Sequence, residues 1–497
     1  MESKVLEKSR NGEEIRGVFE TPGELSVEHP GRAFHVWTYG CQMNVHDTEK
    51  LSNLLLHAGW RSCDDGEQAD LLLINTCSIR EKAEHRLYSD LGALRAWKAA
   101  RPGRVLGVGG CVAQQEGDAL LRRFPHLDFA FGTHNLRLVP RLADAAREGE
   151  RAARVEESRS LERFDFPARH PAFAGAARRS AFVTVMEGCD LFCTFCIVPR
   201  TRGREISRPA AGILEEVRAL AAGGVREVVL LGQTVNAYGR HDLRRGRDEA
   251  GVVPFAELLA RIAAVPGIDR IRYTSPHPSF FDEALVAAHG ALAPLCPHVH
   301  LPAQSGSDRV LAAMRRRYAA DDLRRLVDAL RAARPDVALT TDLIVGFPGE
   351  SEADFEATLA LVRDVAFVDS YSFKYSPRPG TAAAELPDRV DPDVAQERLE
   401  RLQTLQRELT LAAHRARVGT RTEVLLEGPS PKSAAGAAQL QGRDPQHRRV
   451  HVAAAELPGL AEDAIGRLLP VEIVEATPHA LLGRPLLSQS PGGPACL

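Results

Sequence analysis

Residues 186–199 read MEGCDLFCTFCIVP and carry three cysteines, Cys189, Cys193 and Cys196, within eight residues. They follow the apolar run AFVTV, which reads as a strand, so the thiols fall in the loop at its carboxyl end. Thiolates are soft ligands that suit zinc or iron–sulfur clusters. A structural zinc site is normally closed by a fourth Cys or His. The nearest histidines in sequence are His170 and His241, which only the folded chain could deliver. Ligand softness therefore favours a cluster with one corner left open by the protein.

Working outward, the cysteine loop belongs to a strand–helix series over about 180–380. The expected strands lie in AFVTVMEGC, REVVLLGQ, DRIRYTS, PHVHLPAQ, ALTTDLIVGFPG and VDSYSFKYSPRPG, with helical segments such as PAAGILEEVRALAAGG and FAELLARIAAV between them. Six β–α repeats predict a barrel or partial barrel with its chemistry at the carboxyl ends of the strands. The amphipathic stretch AQERLERLQTLQRELTLAAHRARVGT predicts a long closing helix. Beyond it, over 412–485, TEVLLEG, RRVHVAA, LPVEIVE and ALLGRP sit among Gly, Pro and Ser, the pattern of a small all-β barrel.

Ahead of the cysteine loop, FHVWTYGC, DLLLINTC and RVLGVGGC read as strands separated by helical spacing, which predicts a parallel α/β domain over 32–147. Each strand ends in a cysteine: Cys41, Cys77 and Cys111. Parallel strands bring their carboxyl ends to one edge, so three thiols remote in sequence can converge. The alternative is three unrelated core cysteines, a residue type that is often buried. Their identical place in three β–α units favours convergence, again with only three ligands. Cys63, Cys296 and Cys496 fit neither set. The Arg/Glu-rich stretch 148–174 reads as a linker into a core over 175–411, and residues 1–31 and 486–497 read as a polar extension and a loose tail.

The bulk properties set outer limits. Of 497 residues, 44% are hydrophobic and 26% charged, with a net charge of −3, ordinary for a globular protein of several domains. Near balance neither demands nor excludes a polyanionic partner. No uncharged apolar run of about 18 residues occurs, so no membrane span is expected. The first residues lack an apolar signal core, which predicts a cytoplasmic protein. Nine cysteines are an odd count, which argues against a disulfide framework and for metal binding or catalysis.

The motifs resemble those of the radical S-adenosylmethionine (SAM) methylthiotransferases, over about 32–485. C-x3-C-x-aromatic-C, with Phe195 as the aromatic, marks the radical SAM superfamily. The three earlier cysteines and a C-terminal β domain of the TRAM type narrow the resemblance to the methylthiotransferases. TYGCQMN, NTCSIREKAE, GVGGCVAQ and SYSFKYSPRPGTAA are similar to the branch acting on N6-(dimethylallyl)adenosine beside the anticodon of tRNA. Other branches modify threonylcarbamoyl-adenosine in tRNA or an aspartate of a ribosomal protein. A non-enzymatic iron–sulfur RNA-binding protein is the reading from another class.

The resemblance implies an N-terminal Rossmann-like domain, a partial (βα)6 radical SAM barrel and a TRAM barrel. It implies a [4Fe–4S] cluster on Cys189, Cys193 and Cys196 whose open iron chelates SAM, and an auxiliary [4Fe–4S] cluster on Cys41, Cys77 and Cys111 that carries the sulfur. One SAM would supply the methyl group and one the radical. An external electron donor and an external sulfur donor are implied, and a monomer is expected. LLGQTVNAYG, HLPAQSGSDR and DLIVGFPGE make Gln233, Gln304, Ser305 and Gly346, with Phe195, the SAM-contact candidates. Gly346 and Gly349 could equally serve only as turn residues. Arg315, Arg316 and Arg317 could meet SAM or phosphates, or line an exposed helix face. Lys432 and Arg443 are the RNA phosphate candidates in the C-terminal domain, or equally plain solvated charges. Two residues depart from the family wording: Arg200 stands where an aromatic is usual, and Thr234 where Asn is usual.

Overall fold

The computed structural model describes residues 32–78, 81–173, 179–246, 251–430, 438–457 and 464–486. The chain divides into two compact units, one of residues 1–176 with 200–202, the other of 177–199 with 203–497. Among the described residues no helix is long and apolar enough to cross a membrane.

The first unit is built on a parallel sheet. Its strands are β1 (Ala33–Thr38), β2 (Arg61–Ser62), β3 (Leu71–Thr76), β4 (Val105–Gly110), β5 (Phe129–Phe131) and β6 (Ala152–Arg154), in the order β2-β1-β3-β4-β5-β6. The central strand β3, LLLINT, is buried throughout. Its successive side chains serve opposite faces: Leu72 and Ile74 pack with Leu91 and Val108, whereas Leu71 and Leu73 pack with Leu51 and Phe129. That is why the strand is continuously apolar rather than alternating. Helices α1 (Gln42–His57), α2 (Glu81–Ala100) and α3 (Cys111–Glu116) follow β1, β3 and β4. Strand β6 lies inside the stretch expected to be a linker. Three residues pairing with β5 in parallel are enough to bring it into the sheet.

The second unit holds six parallel barrel strands: β7 (Ser180–Thr184), β10 (Glu227–Leu231), β11 (Arg270–Tyr273), β12 (His298–His300), β13 (Ala338–Val345) and β14 (Asp369–Lys374). They form two three-stranded sheets, β7-β10-β11 and β12-β13-β14. A parallel bridge between Ile271 and Leu295 joins β11 to the segment entering β12. All six expected strands are therefore present, as a partial (βα)6 barrel. A short antiparallel ribbon of β8 (Met186–Glu187) and β9 (Ile206–Ser207) closes the base of the cysteine loop. The helix Pro392–Arg415 starts as its sequence dictates, with Asp391 as N-cap and Pro392 in the first turn.

The remaining strands are β15 (Arg421–Pro429), β16 (Gln439–Arg443), β17 (Arg449–Ala453), β18 (Leu468–Ala476) and β19 (Leu481–Pro485). They form a closed barrel, β15-β16-β17-β19-β18, around Val424, Val450, Val471 and Ile473. Two buried arginines of β11 tie this barrel to the larger one. Arg270 donates to the carbonyls of Arg443 and Glu423, and Arg272 to those of Asp444 and Pro445, while Arg272 Nε also meets Glu227 at 2.9 Å.

Candidate functional site

In the first unit, strand register delivers three thiols to one edge. Thr76 pairs with Gly110, and Cys77 and Cys111 are the next residue of each strand. On the other side, Thr38 pairs with Asn75, and Cys41 caps the N-terminus of α1. Two glycines let the strand ends approach. A Cβ on Gly40 (φ 137°) would lie 2.3 Å from the Cys77 Cβ, and one on Gly110 (φ 91°) would lie 2.3 Å from the Thr76 carbonyl oxygen. Only glycine accepts both the dihedral and the contact.

Two buried asparagines fix this edge. Asn44 Nδ2 donates to the Thr76 carbonyl at 2.9 Å, and its Oδ1 lies 3.3 Å from the Cys41 sulfur. Asn75 Nδ2 donates to the Asn44 carbonyl at 2.8 Å and to Thr48 Oγ1 at 3.1 Å. The wording TYGCQMN and INTC thus encodes the brace as well as the thiols.

Arg202 joins the same unit. Its Nη2 meets Asp47 Oδ2 at 2.6 Å, with side chains 4% and 3% exposed. The carbonyls of Thr201 and Arg202 accept from Thr133 Oγ1 at 2.5 Å and His134 Nε2 at 2.9 Å. The Cys41 thiol is lowered to about 6, chiefly by its contact with Cys77 and then, against burial, by the Arg202 cation. Burial pushes the Cys111 thiol up, and Arg202 opposes that. Sequence reading missed Arg202 and Asp47, because nothing local marks an arginine beyond the second cysteine set as a neighbour of the first.

In the second unit, the loop 188–199 carries Cys189, Cys193 and Cys196. Gly188 (φ 79°) turns the chain where a Cβ would lie 2.1 Å from the Arg204 carbonyl oxygen. Gln233, at the end of β10, accepts from the Gly188 amide at 2.5 Å, and Thr234 Oγ1 lies 3.1 Å from the Cys189 sulfur. The loop is pinned on its far side by Thr194, whose amide donates to Met314 at 3.1 Å and whose carbonyl accepts from Ala383 at 2.8 Å. Arg316 Nη1 reaches the Cys193 sulfur at 3.6 Å. Burial raises the Cys189 thiol, and raises that of Cys196 to about 12.

The SAM-contact candidates divide by what holds them. Phe195 packs against the thiol loop and against Val310, Met314 and Phe347. Gln233 has a buried Nε2 with no protein partner. Gln304 (φ 68°) exchanges backbone hydrogen bonds with Asp342 and Ile344. Ser305 is fully buried and already bonds Thr358 Oγ1 at 3.2 Å and the Ser307 amide at 3.1 Å. Gly346 (φ 72°) donates to Glu350 Oε2 at 2.7 Å, and a Cβ there would sit 2.8 Å from the Ala395 Cβ. Close packing against the Pro392–Arg415 helix accounts for that glycine.

Of the three arginines, Arg316 turns inward while Arg315 and Arg317 are exposed; Arg200 is exposed as well. Arg443 lies on β16, with Glu427 3.4 Å away and the His447 carbonyl at 3.2 Å. Lys432 lies outside the described residues.

The first unit thus presents three cysteines just past the carboxyl ends of three parallel strands, and the second presents three in the single loop after β8, each set braced by neighbouring polar side chains. Among the described residues no group of three or more His, Cys, Asp and Glu side chains is arranged around a single metal ion. A cluster instead distributes thiolates over several irons, so this donor set fits one. The unpartnered Gln233 Nε2 beside the second loop fits a further polar ligand there.

This combination defines a radical SAM protein. The chain matches the radical SAM superfamily over residues 183–362, and the family described as uncharacterized protein family UPF0004 over 33–132. The chain belongs to the tRNA-2-methylthio-N(6)-dimethylallyladenosine synthase family. It is 48% identical to a member from Geobacter metallireducens, over 91% of this chain and 98% of that protein. A member from Acidithiobacillus ferrooxidans is 47% identical over 91% and 97%. Among solved structures, the radical SAM methyltransferase TsrM from Kitasatospora setae superposes with a TM-score of 0.51 at 17% identity, covering 71% of this chain and 77% of that one. That likeness is one of fold.

Proposed function

We propose that this chain is a tRNA methylthiotransferase that adds a methylthio group at carbon 2 of N6-(dimethylallyl)adenosine beside the anticodon. The observation that carries the reading is the pair of three-thiol sites, a sheet edge in the first unit and a loop in the second, in a chain about 48% identical to a synthase of that name. An electron carrier has no use for two sites that each leave a position open to an outside ligand. Modification of threonylcarbamoyl-adenosine or of a ribosomal aspartate has no support from these relatives, whose names specify the prenylated adenosine.

Cys189, Cys193 and Cys196 would hold one [4Fe–4S] cluster, and Cys41, Cys77 and Cys111 the auxiliary one. When bound, the first group supplies the electron that cleaves SAM, and the second carries the sulfur. The hydrogen on carbon 2 of adenine is not acidic, so radical abstraction suits it better than a general base. The protein's part is to bind, orient and exclude water. Gln233 and Thr234 orient the Cys189 end of the second loop, and Arg316 places a half-buried cation against Cys193. Asn44 and Asn75 hold the first edge rigid. Phe195, Gln233 and Gln304 are the proposed SAM contacts, with Phe195 and Gln233 against the thiol loop, while Ser305 and Gly346 are held by protein partners of their own. Lys432 and Arg443 are the proposed phosphate contacts, and Arg443 would have to exchange Glu427 for RNA. The enzyme works in the cytoplasm as a monomer, with an external one-electron reductant and an external sulfur donor.

Two measurements test this reading. Nucleosides of tRNA from cells lacking the protein should lose the methylthio prenyl-adenosine and accumulate its unthiolated precursor; unchanged levels refute the substrate. Anaerobic reconstitution should load about eight irons per chain, falling by about half when Cys189, Cys193 and Cys196 are all replaced by Ala.

A further inference from the structure

The loop after β11, SPHPSFF, supplied no candidate from sequence, yet it holds an unusual side chain. His277 is 4% exposed. Its Nδ1 accepts from the Ser279 amide at 3.3 Å, so in the neutral ring the proton sits on Nε2. That Nε2–H is buried and has no partner in the protein. Buried donors are nearly always paired, so one left open at the carboxyl end of a barrel strand points to an outside acceptor.

The ring is also held in place. Asn236, from the loop after β10, donates to the His277 carbonyl at 2.9 Å and accepts from its amide at 2.8 Å. Phe280 and Tyr318 pack on the imidazole, each with ring centroids 5.5 Å away. The Tyr318 hydroxyl accepts from Arg316 Nε at 3.1 Å, and the same guanidinium touches Cys193. His277 is therefore linked through one aromatic ring to the arginine that touches the thiol loop.

The charge of the pocket selects the acceptor. Burial and then the cations of Arg316 and Arg317 hold the imidazole far below its ordinary range, so it stays a neutral donor. An acceptor at that donor, in the field of the Arg316 and Arg317 cations, is favoured if it is anionic. SAM has one anionic group, its carboxylate.

We infer that His277 is a SAM-binding residue whose Nε2–H donates to the carboxylate of the SAM held at the Cys189–Cys193–Cys196 site. This rests on the proposed SAM chemistry of that site, and the test separates the two. Full-length protein, reconstituted and reduced, is titrated with SAM while the electron paramagnetic resonance of its clusters is followed. No response in the unmutated protein overturns both readings. With a response, His277→Phe, which keeps a ring but no donor, should weaken SAM binding about tenfold. His277→Gln, which restores an N–H, should recover most of it, and decarboxylated SAM should bind all three proteins alike. Equal affinity of His277→Phe and unmutated protein for SAM overturns the inference alone. Should His277→Phe fail to fold, the unmutated protein labelled with 15N-histidine decides: SAM should move one Nε2–H resonance downfield with the clusters oxidised. No movement overturns the inference.

Discussion

Gly40→Ala tests the geometry of the first thiol edge most directly. The new methyl would begin 2.3 Å from the Cys77 Cβ and 2.6 Å from Asn44 Oδ1, on a residue with φ 137°. Carbon atoms settle about 3.5–4.0 Å apart, so Cys77 or Gly40 must move by more than about 1 Å. The positive φ costs about 1 kcal/mol for a residue with a side chain, and forced overpacking adds about 1–3 kcal/mol. Relief by displacement is the cheaper route, since the strand ends are followed by loops. It carries the Cys77 sulfur away from Cys41 and breaks the Asn44 brace. The expected outcome is a folded protein, destabilised by about 2–4 kcal/mol, that loads about half the iron of the unmutated chain. Iron analysis, visible absorption and urea unfolding measure this. Full iron with unchanged stability would show that the close approach of β1 and β3 is not needed, and would refute the reasoning.

Asp47→Ala removes the carboxylate that meets the buried Arg202 cation, which should cost about 3 kcal/mol; Asp47→Leu combined with Arg202→Met should restore most of the loss in thermal unfolding. Arg272→Ala removes two carbonyl contacts to the small barrel together with the buried Glu227 partner, so hydrogen exchange should accelerate in β15–β19 before it does in the first unit. Glu205 gives a pH signature. Burial, then Asp190 and Asp242, raise its carboxyl from about 4.5 to about 8, so the folded state holds a proton that the unfolded state has lost. Stability therefore falls as pH rises from about 4.5 to about 8 and is flat above. Glu205→Gln should match the unmutated protein near pH 4 and exceed it near pH 9 in urea unfolding; equal stability at both would show that Glu205 titrates normally.

What was legible in the sequence follows from which interactions are local. The strand ends bearing Cys41, Cys77 and Cys111 could be read because an apolar run and its terminal residue lie together in the chain. The six barrel strands could be read for the same reason. Strand β6 was hidden in an Arg/Glu-rich stretch, because a three-residue edge strand needs only backbone pairing to β5 and no apolar signature. Strand β16, QLQGR, was missed likewise: its Gly442 is required where a Cβ would lie 2.2 Å from the Leu425 carbonyl oxygen, and a glycine in a strand reads as a break.

The residues around the thiols were harder still, because their roles depend on partners remote in sequence. Ser305 and Gly346 sit in motifs that read as ligand contacts, yet each is committed to a protein partner, Thr358 in one case and Glu350 in the other. His277 has the opposite character. It lies between two prolines, in wording that reads as a turn, and only the fold shows that its Nδ1 is engaged while its Nε2 is not. A motif reports which residues a loop contains. The count of used and unused hydrogen-bonding atoms reports which of them remain available, and it shifts attention from Ser305 and Gly346 toward Gln233 and His277 as the side chains with an unanswered donor near the second thiol loop.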